Sequence, residues 1–202
     1  MLRIGVLVSG RGSNLQAIID AIKTEKIKVE IAVVISNVPG AAALERAKEH
    51  GIKAVVIDAK EHRDKSSYEA QIIKAFDDNK VGLVCLAGYM KLLSPELVKH
   101  FKGRIMNIHP ALLPAFPGLH VQRTALEHGV KFSGCTVHFV DEGCDTGPII
   151  MQAIVPVLDN DTEETLSARI LEQEHRIYPE AIRLFSEGKL KIEGRRVKIE
   201  TK

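Results

Sequence analysis

The sequence predicts an α/β fold, a doubly wound and mostly parallel sheet with helices on both faces, and three observations carry that reading. Runs at 4–8, 31–35, 54–57 and 83–86 are nearly continuous in Val, Ile and Leu, as strands covered on both faces are. Segments with apolar residues at helical spacing, 13–23, 41–50 and 66–78, lie between them. The resulting βαβαβα alternation calls for right-handed crossovers and hence parallel pairing.

Taken in order, Gly51 closes the second helix as a C′ glycine does. Residues 104–109 read as a further strand, after which Pro110, Pro114 and Pro117 forbid a regular element until about residue 119. A loop that long is usually functional or disordered. Segments 131–140 and 149–157 are strand-like, are joined by the turn DEGCDTG, and are placed to pair as neighbours. A long final helix at 161–187 opens with Thr162-Glu163-Glu164-Thr165, and Pro179 is expected to kink or divide it. The closing LKIEGRRVKIE alternates around Glu193-Gly194 like a small exposed hairpin.

With 202 residues, 45% hydrophobic and 27% charged, the chain has the composition of a globular protein and is read as one domain, 1–202. Three cysteines lack metal-ligand spacing, so no disulfide framework and no cysteine zinc site is expected. The other histidines, 50, 62, 100, 120, 128, 138 and 175, form no H-x-x-x-H pair and read mostly as surface or packing residues, so no metal is expected. There is no signal-like segment and no apolar stretch of membrane-spanning length, which favours a cytoplasmic protein without a membrane partner. Lys plus Arg (28) nearly balances Asp plus Glu (26), and aromatics are 4% with no Trp, so a nucleic-acid partner is not expected either. Small-molecule substrates remain, with the chain a monomer or a homodimer.

Four places can carry chemistry. In VLVSGRGSNLQAII a strand passes through Gly10 and Gly12 into a helix, where the N–H groups of Gly12, Ser13 and Asn14 favour a phosphate unless the loop is merely a tight turn. A side chain at Gly12 is expected to fill the space such a phosphate needs. The loop has neither the third glycine of a dinucleotide fingerprint nor the lysine of a P-loop. In RIMNIHP, Asn107 and His109 lie two apart at the carboxyl end of a strand, and so project to one side, able to aim an amide and an imidazole at one oxygen. The alternative there is a core histidine with a loop-capping asparagine. The turn Asp141, Glu142, Gly143, Cys144 and Asp145 is either a solvated turn or, folded over the sheet end, the source of an Asp that meets His109 and raises its pKa. With two glycines and no periodic apolar anchor, it is expected to be mobile. After the strand at 83–86, Met90, Lys91, Leu92 and Leu93 either line a flat pocket for a heteroaromatic ring or pack into the core.

These segments in this order resemble the folate-dependent phosphoribosylglycinamide formyltransferase (glycinamide ribonucleotide transformylase) family. The resemblance runs through SGRGSNLQAIID, ISN with LERAKEHGI, LAGYMKLLSP, GRIMNIHPALLPAFPGLH, GCTVHFVDEGCDTGPIIMQ and QEHRIYPEAI, covering residues 2 to about 190. NIHPxLLP with a later D-x-G-P-I is specific to the formyl-transfer superfamily, and SGxGSNLQ with QEHxIYP points to the glycinamide branch. The resemblance implies a Rossmann-like formyltransferase fold. Its amino half, about 1–100, would hold the phosphoribosyl substrate; its carboxyl half, about 101–190, would complete the folate pocket and catalytic site. It implies Asn107, His109 and Asp145 as the catalytic trio, and Gly12, Ser13, Asn14 and Glu174 as ligands of the phosphoribosylglycinamide. It implies Lys65, Met90, Lys91, Leu92, Leu93, Asn107 and the stretch from Asp141 to Asp145 as folate-binding. Lys65 falls near, and Lys91 at, a position where relatives often carry Arg.

The implied reaction uses 10-formyltetrahydrofolate as co-substrate: a neutral glycinamide amine attacks the formyl carbon, and negative charge develops on the former carbonyl oxygen. Asn107 and a His109 charged with help from Asp145 would donate to that oxygen, each donor being worth ~3 kcal/mol. No acyl-enzyme is needed. Runner-up readings are methionyl-tRNA formyltransferase, which normally has a further carboxyl-terminal RNA-binding domain, formyl-folate hydrolase, which usually has an amino-terminal regulatory domain, and a nucleotide-binding module without chemistry.

Overall fold

The computed structural model describes residues 1–200 and falls into two compact units, Met1–Asn107 and a second from Ile108 onward. In the first unit, β1 (Leu2–Val8), β2 (Val29–Ser36), β3 (Ala54–Val56), β4 (Leu83–Leu86) and the start of β5 (Ile105–His109) pair in the order β3-β2-β1-β4-β5. Every one of these pairings is parallel. The connecting helices are α1 (Ser13–Lys23), α2 (Ala42–Glu49), α3 (Lys65–Asp78) and α4 (Pro95–His100).

The strand order runs outward from β1 through β2 to β3 and then restarts with β4 on the other side of β1. With right-handed crossovers this places α1 and α2 on one face and α3 and α4 on the opposite one. The packing of α1 beside α2 and of α3 beside α4 agrees. The reversal between β1 and β4 is a topological switch point, where the loops leaving the two carboxyl ends diverge and open a crevice. β1 is buried from Ile4 to Val8, and glycine at position 5 lets α3 come close: a Cβ there would meet the ring of Phe76 and Val81.

In the second unit β6 (Phe132–Phe139) and β7 (Ile149–Pro156) are antiparallel neighbours, and α6 (Glu163–Ser186) packs against both. α5 (Val121–Glu127) follows the proline-rich loop. β8 (Leu190–Glu193) and β9 (Arg196–Ile199) form the expected hairpin around a two-residue turn with Gly194 at φ +60°, and β9 also pairs with β7 through Ile149 and Arg196. α6 begins in a capping box between Thr162 and Thr165, and Asp161 before it accepts two bonds from Arg169, of 2.7 and 2.8 Å.

Two sequence expectations need correction. α4 was not foreseen, because its six residues are too few to show a period; its signals are local, with Ser94 accepting the Leu97 N–H and Pro95 in the first turn. Pro179 does not divide α6. The missing N–H and the crowded carbonyl cost about 3 kcal/mol in a helix interior, but Ile177, Tyr178, Ala181 and Ile182 on both sides are fully buried and hold the helix through the break. Among the described residues no helix is long and apolar enough to cross a membrane.

Substituting Gly5→Ala should destabilise the protein by about 1–3 kcal/mol, because the new methyl displaces the fully buried Phe76 ring. A lower urea midpoint with an unchanged slope is the expected result.

Candidate functional site

In the first unit the loops after β1, β2 and β4 are joined through one hydroxyl. Ser9 Oγ donates to Asn37 Oδ1 at 2.6 Å and accepts the Met90 N–H at 2.9 Å, while the Ser9 N–H donates to the Gly88 carbonyl at 3.1 Å. Gly12 then caps α1 in the left-handed region at φ 74°, which favours glycine. No side chain caps the first turn of α1 and no acid lies in it, so the turn carrying Ser13 and Asn14 presents positive dipole without a counter-charge from its own sequence. The expectation that a side chain at Gly12 would intrude on a phosphate is corrected: a Cβ there points at Ala43 of α2, 2.6 Å from its Cβ and 2.8 Å from its Cα.

Met90 and Leu92 are 63% and 65% exposed, which removes the core-packing alternative for this stretch, and Lys91 is exposed beside them. Leu93 is half-buried. A network behind the stretch, missed from sequence, holds it. The hydroxyls of Tyr68 and Tyr89 meet at 2.7 Å, and the buried Glu69 carboxylate accepts the Ser94 N–H with both oxygens at 3.0 and 3.1 Å. Lys65 opens α3 with its ammonium 3.9 Å from Glu69. Asn107, half-buried, is in register with Leu86 at the end of β4, which is in register with Leu7 of β1.

In the second unit His109 ends β5 and is 4% exposed. Its Nε2 lies 2.8 Å from the Phe116 carbonyl; a carbonyl only accepts, so Nε2 carries a proton. Its Nδ1 faces Asp145 Oδ2 at 3.4 Å. The DEGCDTG turn thus does fold over to bring an Asp to His109. Asp145 sits at φ 55°, a left-handed conformation that Asp tolerates better than most residues, and its Oδ2 also accepts the Gly118 N–H at 2.9 Å. A second imidazole completes the cluster: His138 Nε2 is 3.6 Å from Asp145 Oδ1. From sequence His138 is only one of seven histidines that read mostly as surface or packing residues. Its signal was position, on the strand that feeds the DEGCDTG turn.

The supporting loops are anchored by polar side chains. Thr136 and Gln152 are register partners on β6 and β7. Thr136 Oγ1 donates to the Ala111 carbonyl at 2.7 Å and accepts the Leu113 N–H at 3.1 Å, and Gln152 donates to the Leu113 carbonyl at 2.9 Å. The turn, which has no periodic apolar anchor, is held by polar bonds: Asp141 Oδ1 accepts from Gly143 N at 3.1 Å and Thr146 Oγ1 at 2.6 Å, and Gly147 packs so closely on the Phe139 carbonyl that a Cβ would collide with it. Glu142 and Cys144 lie exposed on this turn. Glu174 is buried on α6.

Burial lowers the His109 pKa, against an upward push from the Phe116 carbonyl and Asp145, and His138 adds to the lowering. The net direction is down, which corrects the expectation that Asp145 raises it above its ordinary value; Asp145 limits the fall. For Asp145 burial acts upward, yet His138, the Gly118 N–H and His109 together hold it at about 2. Burial, reinforced by Glu174, pushes the Cys135 thiol up to about 12, and partial burial beside Asp145 raises Cys144. Neither thiol is a ready nucleophile at neutral pH.

The sequence profile of the formyl transferase family matches residues 2–182. The chain belongs to the formyl transferase family. It is 48% identical over 191 residues to the phosphoribosylglycinamide formyltransferase of Escherichia coli strain K12, covering 95% of this chain and 90% of that one. It is 49% identical over 188 residues to the trifunctional purine biosynthetic protein adenosine-3 of Drosophila melanogaster, covering 92% of this chain but only 14% of the length of that relative. The crystal structure of glycinamide ribonucleotide transformylase 1 from Symbiobacterium toebii superposes with a TM-score of 0.98 at 56% identity, covering 100% of this chain and 95% of that one. The mixed, mostly parallel α/β fold is thus that of the formyltransferases.

The Asp145 carboxyl binds its proton near pH 2 when folded and near the ordinary 3.8 when unfolded, so its contribution to stability is complete above about pH 4 and is lost as pH falls through 2. Asp145→Asn should therefore lose roughly 2 kcal/mol relative to wild type at pH 6, and less at pH 3. Urea midpoints at the two pH values measure this; an equal loss at both contradicts the ionised pairing.

Proposed function

We propose that this chain transfers the formyl group of 10-formyltetrahydrofolate to the amine of N1-(5-phospho-D-ribosyl)glycinamide. The products are the formylglycinamide ribonucleotide and tetrahydrofolate, and the step belongs to de novo purine (IMP) biosynthesis. The observation that carries the reading is the buried His109, paired with Asp145 and two positions from Asn107 on β5, in a chain of the formyl transferase family.

The neutral amine attacks the formyl carbon, the carbonyl oxygen takes up negative charge, and the bond from carbon to N10 breaks as N10 gains a proton. Asn107 offers a neutral N–H to the oxyanion and His109 a stronger one. The Phe116 carbonyl now accepts from His109 Nε2; an oxyanion is the better acceptor and would draw the same N–H. As charge develops, Asp145 stabilises the imidazolium, and the amine proton passes to N10 by way of His109. With both nearby thiols protonated, transfer is direct.

The first turn of α1, with Gly12, Ser13 and Asn14, is assigned to the ribosyl phosphate, and Glu174 to the glycinamide amine. Met90, Lys91, Leu92 and Leu93 and the turn from Asp141 to Asp145 are assigned to the folate, the exposed Met90 and Leu92 offering apolar surface to a pterin. Lys65, beside Glu69, and Lys91 are assigned to the acidic tail of the folate. Buried Cys85 and Cys135, neither of them in a disulfide, suit a cytoplasmic setting, and the chain acts on small molecules as a monomer or homodimer.

Incubation with both substrates should deformylate the folate only when the glycinamide ribonucleotide is present. Formate release without the amine would instead mark a hydrolase. Asp145→Asn should lower kcat about 100-fold with little change in either KM. Without the carboxylate the His109 pKa falls further, so part of the loss should return as pH is lowered while the amine keeps a neutral fraction.

A further inference from the structure

Asp145 is faced by two imidazoles, and each has its other ring nitrogen committed. His138 Nδ1 lies 2.8 Å from the Phe139 carbonyl, as His109 Nε2 does from the Phe116 carbonyl, and a carbonyl can only accept. Both nitrogens therefore carry protons, which leaves His109 Nδ1 and His138 Nε2 as the atoms facing the two carboxylate oxygens, at 3.4 and 3.6 Å. If both rings were neutral, two lone pairs would oppose one anion inside a site where both imidazoles are almost fully withdrawn from water. One further proton on either ring turns repulsion into an ion pair.

We propose that His138 is a positioning residue of the formyl transfer: it shares one proton with His109 across the Asp145 carboxylate and so sets how readily His109 takes up and releases the proton that moves between amine and N10. The proposal rests on the formyl-transfer reading above. His138 touches no substrate in this scheme; it acts through Asp145. With the shared proton on His109 the ring is an imidazolium: its Nε2 proton passes to N10, the amine proton then refills Nε2, and Asp145 stays ionised against the Nδ1 proton. By competing for that shared proton His138 keeps the His109 imidazolium a stronger acid, readier to deliver its Nε2 proton to N10.

Other titratable groups lie around the cluster. Cys144 Sγ lies 3.6 Å from Asp145 Oδ2 with its thiol raised, and Asp141 in the same turn is engaged by Gly143 and Thr146. His128 packs edge-on against Phe116, whose carbonyl holds His109. From α6, which packs on β6, come Glu174, whose charge is felt at Cys135, and its neighbour His175.

Ring-nitrogen NMR titration of the protein without substrates reads the sharing directly. In wild type the His109 and His138 curves should each show two inflections at common pH values. In His138→Gln, which keeps an N–H donor toward Asp145 but cannot hold the proton, the His109 midpoint should rise by about 0.5–1 pH unit, opposite in sign to its fall in Asp145→Asn. The high-pH limb of kcat should move the same way, with kcat about tenfold lower and both KM values within twofold. His138→Asn, which keeps the bond to Phe139, serves as the second variant. Single, independent titration curves in wild type overturn the proposal, as does an unmoved His109 midpoint in folded His138→Gln or His138→Asn. If wild type transfers no formyl group, the functional reading falls, while the substrate-free titration still decides whether the two rings share a proton.

Discussion

Removing an imidazole from water disfavours its charged form, and the Asp145 carboxylate 3.4 Å from His109 is what limits that penalty and holds the charged form within reach. Much of the second unit serves to place that carboxylate. The left-handed backbone at Asp145 aims it back toward the sheet, and Gly147 lets the turn lie against β6 where any Cβ would strike the Phe139 carbonyl. The Asp141 bonds close the turn. The Gly118 N–H, offered by the proline-rich loop, donates to Oδ2, and turning the carboxylate away would lose that charge-assisted bond. The cross-strand pair Thr136 and Gln152 keeps that loop in place through the Ala111 and Leu113 backbone.

The first unit solves a different problem, that of presenting backbone N–H groups and apolar side chains at the edge of a parallel sheet. Its strand order reverses between β1 and β4, and Ser9 ties together the three loops that leave β1, β2 and β4 there. The glycine at position 12 serves this arrangement by letting α1 and α2 approach, with Ala43 in the space a side chain would take. Glu69 and the Tyr68–Tyr89 pair then brace the exposed Met90 and Leu92 from behind.

Elements whose identity depends on local pattern were legible. Ser13–Lys23 and Leu83–Leu86 coincide with the segments read from sequence, the first because its apolar residues recur at helical spacing directly after Gly12, the second because its short apolar run ends just before Gly88. The pairing of His109 with Asp145 was legible only as a condition on where the turn folds. What the sequence did not disclose depends on burial and three-dimensional closeness: the downward net shift of His109, the second imidazole at His138, and the collision of any side chain at Gly12 with Ala43 instead of with a ligand. Pro179 shows the converse, a strong local rule overridden by the packing on either side of it.

A double-mutant cycle between His109 and Asp145, read on the single-turnover rate of formyl transfer, tests most directly whether the carboxylate acts through the imidazole. If it does, His109→Asn already removes what Asp145 supports, and adding Asp145→Asn should slow the reaction by less than about threefold more. Losses that simply multiply would show that the two residues contribute independently and would contradict the account.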